Sequence, residues 1–263
     1  MWNHLKNTNK PIVLYGMGNG ADLVLKKLGE LGVKPTAVFA SPGFVRGNSF
    51  HGYKVITYEE ASELYPDMIV LMCFGSQRPE VMDFVKKICA RHEFYVPCIP
   101  VIGDGIFDKA FAGAHRKELD AFYQRLCDKK SREVFECVIK YQISGKPEYL
   151  FECETPPSEA FDNILKLGDN EIFMDLGAYT GDTVKEFLSH VKGYSKIYAA
   201  EPDIKTFKKL EANTGHLKNI LRINKIIHSE QTALPFGTKA GRNSKIAESG
   251  KIVEADTVDN ILD

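Results

Sequence analysis

Ile172-Phe173-Met174-Asp175-Leu176-Gly177-Ala178-Tyr179-Thr180-Gly181-Asp182-Thr183 is the stretch whose reading decides the fold. An apolar run ends on an acid, two glycines let the backbone turn tightly against a ligand, and the apolar positions from Val184 to Leu188 begin a helix. Thr183, followed three residues later by Glu186, has the spacing of a capping box at that helix start. Strand, glycine turn and helix in this order predict a nucleotide-cofactor loop of a parallel α/β sheet.

The next apolar segment, 196–200, predicts the neighbouring parallel strand and ends at Glu201, twenty residues after Gly181. A carboxylate at that tip can accept both ribose hydroxyls of an adenosine held over the first loop. Dinucleotide enzymes and methyltransferases share this arrangement, and the glycine pattern separates them. Here the loop reads Asp-x-Gly-Ala-x-x-Gly-Asp-Thr, with the acid inside the strand end, and not Gly-x-Gly-x-x-Gly. The plain alternative is a strand-turn-helix whose glycines serve packing alone.

That loop resembles the S-adenosylmethionine loop of class I methyltransferases, specifically of the FkbM family. Glu201-Pro202-Asp203 and the later Glu254-Ala255-Asp256-Thr257-Val258-Asp259-Asn260-Ile261-Leu262 also resemble that family, over roughly the last hundred residues. The resemblance implies S-adenosylmethionine as cofactor, bound by Asp175, Gly177, Ala178, Tyr179, Gly181 and Glu201, with Asp182 and Thr183 shaping the helix start. It also implies methyl transfer to a hydroxyl oxygen of a small-molecule or glycan acceptor, a sugar or a polyketide-like compound. No general base is identified. In the family, the segment resembling Thr257-Val258-Asp259 leads into a Lys-x-Asp-x-Glu-Gly-type strand and the rest of the sheet. These 263 residues hold no such segment. The second domain is therefore expected to be incomplete, the chain as written to be inactive, and the first strand to be an exposed edge through which it forms a homo-oligomer.

The amino-terminal part opens in a similar way. From Pro11 an apolar strand runs through Tyr15-Gly16-Met17-Gly18-Asn19-Gly20-Ala21 into an amphipathic helix, and strands at 36–40, 55–56, 68–73 and 94–96 alternate with helices at 58–64 and 79–90. Gly16-x-Gly18-x-x-Ala21 is a variant of the dinucleotide fingerprint, which raises a dehydrogenase as a rival reading. The acid that should end the second strand is absent, because Ala40 is followed by Ser41-Pro42-Gly43, so NAD and NADP are expected to bind weakly or not at all. Arg46 is a candidate for a 2′-phosphate. This module resembles one found ahead of some FkbM-type and sugar-modifying enzymes, which implies a sugar nucleotide as a possible ligand. A non-catalytic nucleotide- or sugar-nucleotide-binding regulatory protein is thus the alternative function.

Between the two, Leu119, Phe122, Tyr123 and Leu126, then Val134, Phe135, Val138 and Ile139, recur at helical spacing and predict two helices, the second starting near Ser131 and ending at Gly145. Thr155-Pro156-Pro157-Ser158 breaks the chain before a short helix at 159–167. After Glu201 a helix at 204–213 and a third strand at Ile226-Ile227 are expected. By the resemblance to methyltransferases, His228, Ser229 and Glu230 at that strand's exit are expected to stand near the adenine, and 237–250 reads as a mobile loop.

The expected architecture is α/β: two Rossmann-like parallel-sheet domains (1–103 and 169–263) joined by a helical connector (104–168) that leads into the second domain and covers one face of its sheet. A hydrophobic content of 44% with 26% charged residues fits two modest soluble cores. The formal net charge of −1 gives no argument for nucleic acid or an anionic membrane. No apolar run approaches a membrane span and the start lacks a signal-peptide core, so a cytoplasmic location is expected. The six scattered cysteines form no Cys-x-x-Cys pair and are expected to be buried, reduced thiols, with no metal site.

Overall fold

The computed structural model describes residues 1–45, 47–76, 78–100, 105–237, 245–246 and 248–262. The expected first boundary near Gly103, Arg46 and most of the loop at 237–250 lie outside the described residues. The chain divides into two compact units, Met1–Glu154 and Thr155–Asp263. Among the described residues no helix is long and apolar enough to cross a membrane.

The first unit begins α1 (Trp2–Asn7), β1 (Ile12–Tyr15), α2 (Asn19–Glu30), β2 (Ala37–Phe39), β3 (Ser49–Phe50) and β4 (Tyr53–Ile56). It continues α3 (Tyr58–Leu64), β5 (Ile69–Met72), α4 (Pro79–Cys89) and β6 (Glu93–Tyr95). These strands form one sheet of order β3-β4-β2-β1-β5-β6, parallel throughout except for the β3–β4 hairpin. Strands buried on both faces are apolar at every position, and β1 and β5 are buried along their whole length. Leu14, Val38, Ile69 and Leu71 pack on one face with Ala21, Val24 and Leu28 of α2. Val13, Tyr15, Phe39 and Val70 pack on the other with Tyr58 and Ala61 of α3 and Val85 and Ile88 of α4. Helix α2 lies so close to the sheet that a Cβ on Gly20 would collide with the carbonyl oxygen of Cys73.

Beyond β6 the described chain forms α5 (Lys109–Ala114), α6 (Arg116–Arg125), α7 (Lys129–Ser144) and α8 (Glu148–Cys153), four helices where periodicity predicts two. Helix α7 starts ahead of Ser131 because Asp128 is its cap, accepting from the Ser131 N–H at 2.8 Å; Gly145 ends it in the left-handed conformation, as predicted. These helices belong to the first unit. The Val96 N–H donates to Gly145 O at 2.7 Å, and Phe151 packs against the cluster around Val70 and Phe94. Cys73 is buried, which pushes its thiol up to about 12, but Cys127 is exposed, so burial is not shared by all six cysteines.

The second unit holds a short π-helix (Glu159–Leu165), β7 (Glu171–Leu176), α9 (Asp182–His190), β8 (Tyr194–Ala200), α10 (Ile204–Thr214) and β9 (Ile220–Ile223). Then come β10 (Ile226–Ile227), β11 (Thr232–Gly237), β12 (Lys245–Ile246), β13 (Lys251–Asp256) and α11 (Val258–Leu262). β7, β8 and β9 form a parallel sheet in that order. Phe173, Ile197 and Ala199 turn towards α9 and α10, meeting Val184, Phe187, Phe207 and Leu210, with the rings of Phe173 and Phe187 stacked at 4.3 Å. β7 is an edge strand among the described residues, and its Ile172 and Leu176 are 66% and 51% exposed.

Two expectations are corrected here. The third strand of the parallel sheet is β9; Ile226 and Ile227 belong to a separate sheet of order β10-β13-β11-β12. His228 therefore follows that other sheet, with its N–H bonded to Asp256 O at 2.9 Å, and does not stand at the exit of the third parallel strand. The other correction concerns α9. Its cap is Gly181, with φ at 89°, and no side chain caps it; Thr183 lies inside the first turn, so the Thr183–Glu186 spacing forms no capping box.

Candidate functional site

The six residues singled out in the sequence converge on the tips of β7 and β8. Asp175 is the fifth residue of β7, paired with Ala199, and Glu201 follows the last residue of β8. The loop between β7 and α9 is tied to β8 by its own backbone: the N–H groups of Gly177 and Ala178 both donate to Ala200 O, at 2.9 and 2.8 Å. The next amide, of Tyr179, donates to Oε2 of Glu201 at 3.0 Å, while the Asp203 N–H donates to Oε1 at 2.8 Å. Each carboxylate oxygen thus holds one backbone donor and keeps lone pairs for a ligand.

The loop closes on Gly181, whose N–H bonds to Ala178 O at 2.7 Å. Its left-handed backbone and its packing both call for glycine, since a Cβ would lie 3.0 Å from Thr214 Cγ2 and 3.2 Å from Leu210 Cδ1. Gly177 differs. A Cβ there would meet nothing within 4 Å, so that side of the loop is open to a ligand. Tyr179 also has positive φ, at 45°, an uncommon conformation for a non-glycine residue.

Two carboxylates in one partly buried corner disfavour each other's ionised form, so each holds its proton more tightly. Burial first, and then the Asp182 carboxylate, holds Asp175 above the usual carboxylate range. Its Oδ2 is buried without a hydrogen-bond partner among the described residues. Glu201, 7% exposed, is also raised, by burial first; its two amide donors pull the other way, and the charges of Asp203 and Asp175 push with burial. The arrangement is a compact acidic corner suited to donors such as ribose hydroxyls or a cationic group.

Two supporting residues, Asn224 and Asn213, were missed in the sequence, and a third, Asp203, was quoted there without its capping role. Asn224, just past β9, donates from Nδ2 to the carbonyls of Glu201 and Pro202 at 2.8 and 3.1 Å, fixing the tip that carries the acid. Asn213 donates to Thr180 O at 2.8 Å, holding the loop from α10. Asp203 caps α10 by accepting from Thr206 N at 2.8 Å. Its cap signal, an Asp three residues before a Thr at a helix start, was readable. A small cavity of about 210 Å³ adjoins the same tip, lined by Asp203, Asn224, Phe236 and Ile252 among others.

The sequence matches no protein-family model and no curated protein. Among solved structures, the chain is similar to the methyltransferase FkbM from Methylobacillus flagellatus KT, with a TM-score of 0.65 and 19% identity over 97% of this chain and 70% of that one. At that identity the likeness is one of fold: the chain has an FkbM-like α/β fold of the Rossmann-like class.

Proposed function

We propose that the second unit binds S-adenosylmethionine and that the protein is a methyltransferase acting on a hydroxyl of a small-molecule or glycan acceptor, a sugar or polyketide-like compound. The observation that carries this reading is the pairing of Glu201 with the glycine loop: a carboxylate at the second strand tip, held by the Tyr179 and Asp203 amides, beside an open Gly177. The residues fit the cofactor. Glu201 would accept the ribose hydroxyls, Gly177 and Ala178 would let the chain approach it closely, and the orphaned Oδ2 of Asp175 would face its donors or its positive charge. When bound, the cofactor supplies an electrophilic methyl group.

The chain's own contribution is placement. Asn224, Asn213 and the amides around Ala200 hold the corner rigid before any ligand arrives, so little ordering entropy remains to be lost on binding. A Glu/Asp pair whose protons are held more tightly than usual also favours a cationic ligand, which lowers both pKa values as it binds. The fold of the Methylobacillus flagellatus methyltransferase supports the same class of activity. Calorimetric titration with S-adenosylhomocysteine is the direct test; saturable binding supports the assignment, and heat signals indistinguishable from dilution at millimolar ligand reject it.

A further inference from the structure

The first unit contains a cavity that the methyltransferase reading does not use. It measures about 830 Å³, within the roughly 300–1,000 Å³ common for small-molecule sites. It lies outside the carboxyl ends of β1, β2 and β5. The strand order runs outwards from β1 through β2 on one side and through β5 on the other, so the cavity opens where the winding reverses. Ligands of open parallel sheets bind at that crevice.

Its walls divide by chemistry. On one side the loop Gly16-Met17-Gly18 leads into the twelve-residue helix α2, whose cap is Gly18 and whose first amides have no side-chain cap. Gly18 has an extended backbone, φ −126°, and a Cβ there would meet nothing within 4 Å, so the space beside those amides is open. Lys87 also lines the cavity, an exposed cation with no ion pair among the described residues, whereas Arg78 is engaged with Glu80. Amides and an unpaired ammonium together suit phosphate oxygens. The remaining lining is acidic, with Asp83 and the Glu80 that holds Arg78, and aromatic: Phe74, Phe84 and Phe44, the last 56% exposed on the turn after Ser41. Aromatic faces take a planar heterocycle. Where an adenine dinucleotide would need a carboxylate, the Ser41 hydroxyl is bonded instead to the Tyr15 hydroxyl at 2.6 Å, and burial keeps that phenol neutral.

We propose that this cavity binds a pyrophosphate-bearing nucleotide other than NAD, with phosphates at Gly18 and Lys87, base against the phenylalanine wall, and sugar near the Ser41–Tyr15 hydroxyl pair. The shared chemistry is a nucleoside diphosphate, free or carrying a hexose. The site is independent of Glu201, and the test keeps the two apart.

The experiment titrates UDP, ADP, UDP-glucose, inorganic pyrophosphate and NAD into the full chain carrying Glu201→Ala, by calorimetry. At least one nucleoside diphosphate should bind saturably, with pyrophosphate and NAD at least tenfold weaker. UDP-glucose binding more tightly than UDP marks a sugar nucleotide as the source; equal affinity marks the free diphosphate; either supports the proposal. Gly18→Asp in the same background should weaken binding at least tenfold without moving the melting temperature, because the new carboxylate enters open space. Lys87→Glu, on the exposed face of α4, should weaken it about fivefold or more and serves if the first variant folds poorly. No saturable binding by any nucleotide, NAD binding tightest, or an unchanged affinity in the variants overturns the assignment.

Discussion

The amide of Tyr179 and the carboxylate of Glu201, twenty-two residues apart in sequence, meet at 3.0 Å and lock the glycine loop of one strand to the tip of the next. Tyr179 takes a left-handed backbone there, and the Gly177 and Ala178 amides already grip Ala200, so the loop is held at three successive residues. Glu201 therefore serves both the loop's shape and its chemistry.

Replacing Glu201 with Ala should weaken S-adenosylhomocysteine binding by about 1–3 kcal/mol, the scale of charge-assisted hydrogen bonds left unmade. Glu201→Gln should recover part of the stability but little of the affinity, because its amide offers only one acceptor oxygen. Calorimetry on both variants reads the difference, and equal affinity in all three proteins would remove Glu201 from the site.

Asp175 carries a pH signature. Its folded-state proton affinity is raised by burial and by Asp182, above an unfolded value of 3.8. Its contribution to stability is thus fully present below that value and is lost as pH rises through the higher folded pKa. Asp175→Asn removes the titration, so the variant should resist urea better than the parent at about pH 7, with the gap closing as the pH falls towards about 4. A gap that widened in acid would contradict the assignment of a raised pKa.

Gly181→Ala should cost about 1–3 kcal/mol, since alanine would be forced into a left-handed conformation while its methyl crowded Thr214 and Leu210. Urea unfolding followed by far-ultraviolet circular dichroism would register it. The same substitution at Gly18, which has ordinary φ and free space, should change stability by no more than about 0.5 kcal/mol.

Ile172 tests the open edge of β7. An apolar side chain that is 66% exposed on a strand that is an edge among the described residues favours pairing with another chain. Ile172→Lys should weaken self-association at least tenfold in sedimentation velocity while leaving unfolding free energy within about 0.5 kcal/mol. Equal association by the two proteins would show that β7 is not the contact.

The strand-loop-helix at 171–190 was legible because its signals agree: apolar run, acid, glycine pair, then amphipathic spacing. Glu201 was legible because it is the carboxylate that ends the apolar run at 196–200, at the distance from Gly181 that a helix and a return strand need. The third strand was not. Ile220-Leu221-Arg222-Ile223 is interrupted by a cation and Ile226-Ile227 is not, so apolarity favoured the wrong segment. Arg222 is tolerated in β9 because its guanidinium turns back to the end of α10, donating to Thr214 Oγ1 at 2.8 Å and to the Thr214 carbonyl. With the strand misplaced, Asn224 could not be seen as the anchor of Glu201. β11 was hidden by Pro235, which reads as a breaker but sits in register with Ile252 of β13. Thr183 and Glu186 show the opposite failure, a correct spacing overruled by a glycine that turns the chain two residues earlier.

The order of strands in the last sheet has a consequence in time. β10 pairs only with β13 among the described residues, Ile226 with Ala255 and Ile227 with Asp256, and Lys225 beside it bonds Asp256 at 2.7 Å. On a ribosome, β7, β8 and β9 can pair as they emerge, each with a neighbour already made. β10 must wait through β11 and β12 for its partner, roughly 1.5–6 s at about 5–20 residues per second. Through that interval Lys225 lacks its counter-charge, and the Asn224 next to it holds the Glu201 tip from a segment that has nothing yet to lie against.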